Sequence, residues 1–85
     1  MAEYEIFFKE SVWKDLRKIS KGDLTRILSR IEKLGDDPHP IGCEKLTGLE
    51  LYRVRQGTYR IVYSIQENEL TVWVIKVGHR KEVYR

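Results

Sequence analysis

From Leu51 to Tyr63 the chain reads LYRVRQGTYRIVY, an alternation of apolar and cationic residues that commits it to a two-stranded hairpin. The pause in that alternation is Gln56-Gly57, where glycine in the second loop position suits a tight turn needing positive φ. With those two residues as the loop, Arg55 is expected to face Thr58 and Arg53 to face Arg60. Side chains alternate across a strand, so Arg53, Arg55 and Arg60 share one face; Tyr52, Val54, Tyr59, Ile61 and Tyr63 share the other. The apolar face requires a core against it. On the cationic face, like charges oppose each other with no acid expected between Arg53 and Arg60, a cost of roughly 0.2–1 kcal/mol on the cross-strand scale. An anion relieves it, and phosphate is the one expected.

The rest of the chain supplies that core. Glu3 to Phe8 reads as a first strand, and a helix capped near Ser11 follows, with Val12, Leu16 and Ile19 at helical spacing. Ser20 to Asp23 breaks it, and Asp23 caps a second helix whose stripe is Leu24, Ile27, Leu28, Ile31 and Leu34. Gly35 reads as the residue just past that helix, with Pro38 and Pro40 ending helicity. After the hairpin, the polar turn Gln66–Glu69 leads into a strand from Leu70 to Val77, and Gly78 sets off a short terminal segment. The pattern predicts an α+β domain: an N-terminal strand, then two antiparallel helices packed on one face of a small antiparallel β-sheet. The other face stays partly open and carries the arginines.

At 85 residues the chain is read as one domain, 1–85. Its single cysteine, Cys43, leaves the fold without an internal disulfide, which fits a reducing cytosol. No apolar run reaches the roughly 18–20 residues of a membrane span, and the N-terminus carries acids where a secretory signal carries lysines. A cytoplasmic protein with no membrane partner is expected. The net charge of +3 is unevenly spread. Residues 1–44 hold eight Lys/Arg against nine Asp/Glu, whereas 45–85 hold eight against four. In the second half arginine dominates, and its planar fork grips phosphate bidentately.

The terminal VGHRKEVYR is the second informative stretch. If the last strand lies beside the one holding Arg60, its end brings His79, Arg80 and Tyr84 toward the hairpin arginines. Two histidines and one cysteine without ligand-like spacing argue against a metal site, and no cofactor fingerprint or Ser–His–Asp arrangement is present. Cys43 reads as structural, His39 as loop, and Trp13 and Trp73 as packing residues. His79 is set apart by its neighbour Arg80 and because histidine is the residue type whose ordinary pKa lies near neutrality. Arginines with a tyrosine and no metal suit RNA cleavage by its own 2′-hydroxyl, where the protein aligns the chain and stabilises the phosphorane. Arginine is effectively always protonated, so the residues by themselves leave the proton-transfer group open.

KLTGLELYRVRQGTYRIVYSI followed by VWVIKVGHRKEVYR resembles the RelE/ParE superfamily of toxins from type II toxin–antitoxin pairs, over essentially the whole chain. The resemblance implies the RelE-like fold and, on the RelE branch, a metal-independent endoribonuclease that cuts messenger RNA in the ribosomal A site. It implies backbone contacts from Arg53 and Arg55, a clamp on the scissile phosphate from Arg60, charge stabilisation from Arg80 and base stacking by Tyr84. Lys45 and Lys81 join the RNA-binding set. RelE relatives carry lysines where this chain has Arg53 and Arg55, so the resemblance implies no base there and offers His79, the residue before Arg80, for the proton. The implied partners are a RelB-like antitoxin, the messenger and the ribosome, with operator DNA reached only through the antitoxin. The rival readings are a ParE-like gyrase poison and a catalytically inactive antitoxin-binding module.

Overall fold

The computed structural model describes residues 3–46 and 48–79. Strand β1 (Glu5–Phe8) is followed by helices α1 (Glu10–Arg17) and α2 (Lys21–Asp36). A two-residue strand β2 (Glu44–Lys45) precedes β3 (Tyr52–Gln56), β4 (Tyr59–Gln66) and β5 (Thr71–His79). The five strands form one sheet in the order β1-β5-β4-β3-β2. The expected meander β3-β4-β5 is antiparallel, but β1 lies parallel to β5, so the sheet is mixed.

One core joins the helices to one sheet face. Val12 and Leu16 of α1 and Ile27, Ile31 and Leu34 of α2 meet Val54, Ile61, Tyr63, Val72, Val74 and Val77. Ile27, Ile31 and Leu34 of the expected stripe are buried against an apolar sheet face, with Leu24 partly covered, whereas Leu28 turns outward and stays 40% exposed. Ser20, not Asp23, occupies the N-cap of α2, and its hydroxyl donates to the Asp23 carboxylate at 3.2 Å. Gly35 lies inside the last turn of α2 rather than beyond it. Its carbonyl accepts the Tyr4 amide at 2.7 Å, and a Cβ there would stand 3.0 Å from the Tyr4 carbonyl oxygen. Glycine is needed because helix and strand backbones touch.

Two local features position the site. β1 pairs with β5 only as far as Val74, leaving the next stretch of that edge open. Asp15 of α1 fills the gap, accepting the Val77 amide at 3.3 Å and Lys76 Nζ at 3.0 Å. Between β4 and β5, Tyr63 faces Val74 while Val62 faces Lys76, so Ile75 is an extra, unpaired residue. That bulge reverses which side chains of β5 face the helices.

Candidate functional site

The hairpin turns at Gly57-Thr58, one residue later than the alternation suggested. Gly57 has φ +62, and among the described non-glycine residues only Leu70 has positive φ. Positive φ at the first loop position alone is the requirement of a type II′ turn, which glycine meets there. The register therefore places Arg55 opposite Arg60 and Arg53 opposite Val62, replacing the expected Arg53–Arg60 pair. Both strands shift together, so parity is kept and Arg53, Arg55 and Arg60 still share the face away from the helices.

Their environments differ. Arg55 is exposed, whereas Arg60 is only 4% exposed, so this part of the sheet is covered rather than open. Arg53 is paired with Glu44, its cross-strand neighbour on β2. An acid thus does stand on the arginine face, supplied by a strand too short to read from sequence. Burial, and after it the adjacent Arg55 charge, holds the Arg53 guanidinium below the usual arginine range. Lys45 faces Tyr52 and pairs with Glu50 at 3.4 Å, so its register assigns it to the other side of the sheet. Arg80, Lys81 and Tyr84 lie outside the described residues.

His79 does not join the arginines. Its neighbour on β4 is Tyr59, and the two rings meet edge to face with centroids 5.5 Å apart. Gly78 is the residue opposite Arg60. His79 was expected near the Arg60 end of β4 and is there, but on the helix side of the sheet. The bulge at Ile75 is the reason: without it, alternation along β5 would have carried His79 to the arginine face. There His79 lines a cleft of about 380 Å³ with Asp15, Lys18, Tyr59 and Lys76.

At the far end of the core, the buried Tyr63 hydroxyl donates to the Pro38 carbonyl at 2.7 Å and lies 3.1 Å from Cys43 Sγ. Because that hydroxyl has one proton, the thiol is the donor in the second contact. Burial first, and then the Cys43 hydrogen bond, pushes the Tyr63 hydroxyl above the tyrosine range. Cys43 is held in structure, as its sequence context suggested. Trp13 and Trp73 are half-exposed; Trp73 stacks on Phe7 with centroids 5.1 Å apart, and Trp13 meets Phe8 at a tilt, 4.9 Å apart. Sequence reasoning passed over Arg30, which lines a shallow cavity with Gly42, Glu44 and Arg55. The signal was available in the basic side of α2.

Guanidinium groups gathered on one face suit a phosphate and stabilise added negative charge on it; here Arg55 is the exposed one, with Arg53 held by Glu44 and Arg60 buried beside it. Among the described residues, that face offers no group that titrates near neutrality.

Residues 6–84 match the family model described as ParE toxin of type II toxin–antitoxin system, parDE. The chain is 30% identical over 86 residues to the mRNA interferase toxin RelE of Escherichia coli K12, covering 95% of this chain and 90% of that one. Its fold is similar to the RelBE2 toxin–antitoxin complex of Mycobacterium tuberculosis, with TM-score 0.83, 26% identity and coverage of 92% and 99%. A chain of the archaeal RelE–RelB complex from Pyrococcus horikoshii OT3 gives TM-score 0.83, 28% identity and coverage of 96% and 99%.

Proposed function

The chain belongs to the ParE toxin family of type II toxin–antitoxin systems, as a RelE-like toxin, and from there we propose that it is an endoribonuclease cutting messenger RNA in the ribosomal A site. The reaction is attack of a 2′-hydroxyl on the adjacent phosphate, giving a cyclic phosphate and a free 5′-hydroxyl, with no metal required. The observation that carries this reading is the Arg55–Arg60 pair with Arg53 beside it on one sheet face. Arg60 clamps the scissile phosphate, Arg55 and Arg53 hold the backbone, and Arg80 and Tyr84 complete the site by charge and by stacking. The RelE of E. coli, similar along nearly the whole chain, is itself named an mRNA interferase.

A cognate RelB-like antitoxin is the proposed partner, since similar folds occur in RelB complexes. It neutralises the toxin and brings it to operator DNA in the cytoplasm. Among the described residues, no helix is long and apolar enough to cross a membrane. Expression of the toxin alone arrests growth, and co-expression with the antitoxin restores it; normal growth with abundant soluble toxin counts against the reading. The family model's description names ParE toxins, and the resemblance to that branch carries a second reading, inhibition of DNA gyrase. Programmed ribosomes with mapped RNA ends, run beside a supercoiling assay, separate the two. Gyrase inhibition without RNA cuts assigns the ParE activity, and loss of both leaves an inactive antitoxin-binding module.

His79 is not retained as the general base in this proposal, because its side chain is on Tyr59's side of the sheet. His79→Gln is expected to leave single-turnover cleavage within a few-fold of wild type, with a flat profile between about pH 5.5 and 8. A loss of about 10²-fold or more, the scale of general acid–base catalysis, would return His79 to the site.

A further inference from the structure

The slightly acidic first half of the chain conceals a cationic surface. Arg26, Arg30 and Lys33 stand at i, i+4 and i+7 along one side of α2. With Thr25, Ser29 and Gln56 they line a groove of about 340 Å³. Arg30 also lines a cavity of about 290 Å³ with Gly42, Glu44 and Arg55, so the two hollows share this residue. Arg55 and Gln56 are consecutive residues of β3, one in each hollow. The hairpin end therefore links the arginine face of the sheet to the basic side of α2.

Two features say what this surface takes. Arg30 is half-buried, and its Nε is buried with no hydrogen-bond acceptor. Two nearby acids are already engaged, Asp23 with Arg26 at 3.4 Å and Glu44 with Arg53, and a third, Asp37, accepts the His39 amide at 3.0 Å. The lining otherwise consists of guanidinium, ammonium, amide and hydroxyl groups with a glycine, and it has no apolar side chain. A protein partner anchors itself through apolar and aromatic side chains, whereas a nucleic-acid backbone needs donors for its phosphates.

We propose that this groove is a second RNA track, holding the sugar–phosphate backbone of single-stranded RNA as it passes from the Arg55–Arg60 pair over the hairpin end onto α2. The proposal rests on the reading of the arginine face as an RNA site and adds the path of the flanking nucleotides. Contacts to phosphate carry no base information, so the track adds affinity without sequence preference.

The test uses 2′-O-methyl oligoribonucleotides, which lack the attacking hydroxyl, at lengths of about 3 and about 15 nucleotides. Binding is followed by fluorescence anisotropy across a salt series. Wild-type protein binds the long oligomer more tightly. Arg26→Gln/Arg30→Gln/Lys33→Gln loses about tenfold or more on the long oligomer at low salt and keeps its affinity for the short one. Its salt slope on the long oligomer falls by about 0.7 for each phosphate that is no longer neutralised. Arg26→Gln/Lys33→Gln, which alters only exposed positions, gives a smaller loss of the same kind and covers the case in which the triple variant fails to fold. Equal wild-type affinity for both lengths, or equal loss on both in a folded variant, overturns the track while ribosome cleavage still decides the nuclease reading. Wild-type protein that binds neither length overturns the track as well. Weakened binding of an acidic antitoxin segment with unchanged RNA affinity overturns it in favour of a protein interface.

Discussion

Arg60→Ala is expected to lower single-turnover cleavage of ribosome-bound messenger by about 10²–10³-fold, the effect of removing one preorganised donor from a developing oxyanion. Arg60 is the buried member of the cross-strand pair, so its guanidinium is held in place before substrate arrives. Arg60→Lys keeps the charge and loses the planar fork, and recovers only part of the activity. Arg55→Ala is the informative companion, because Arg55 is exposed and stands opposite a like charge. Cleavage falls, while stability is unchanged or rises by up to about 1 kcal/mol as the repulsion is relieved. Thermal melts beside the cleavage assay check both variants. Wild-type rates in a folded Arg60→Ala protein would remove Arg60 from the chemistry.

Tyr63→Phe is expected to cost about 1–3 kcal/mol, because it leaves the Pro38 carbonyl and the Cys43 thiol in the interior without their partner. In a domain of this size each kcal/mol moves the melting temperature by about 4–8 °C. The pH dependence is a separate signature. Burial raises the folded-state pKa of Tyr63, so above about pH 10 the unfolded chain gives up that proton while the folded one keeps it. The folded state then binds more protons, and stability falls as pH rises. Tyr4, raised chiefly by its hydrogen bond to Glu67, is present in both proteins, so a comparison isolates Tyr63. A shallower alkaline loss in Tyr63→Phe is expected, and identical slopes would show that the phenol ionises freely in the folded protein.

The sequence already held the facing of the arginines, because a hairpin loop displaced by one residue moves both strands and leaves the parity of Arg53, Arg55 and Arg60 intact. The apolar stripe on α2 was equally readable, since its period allows one buried side. Other features were hidden for physical reasons. The partner of β1 lies at the opposite end of the chain, and local periodicity contains nothing about it. Gly35 looks like a helix terminator, while its missing side chain answers to the backbone of Tyr4. One bulge carries His79 to the face opposite the expected one. The clue is the unbroken apolar run Val72-Trp73-Val74-Ile75 before Lys76 and Val77, which strict alternation cannot phase. Arg30 escapes any count of charge by halves of the chain, because its cationic neighbours gather by helix face and not by stretch of sequence.

The parallel pairing of β1 with β5 also orders events in time. Glu5 meets Thr71, 66 positions later, whereas the hairpin and the strand after it pair between near neighbours. Closing a long loop is entropically slow, so nearby pairings form first and distant ones follow. The first strand therefore has no berth until Thr71–Val74, far along the chain, has also been made. Until that pairing closes, the sheet ends at β5, and the strand that leads into the helical layer stays without a partner.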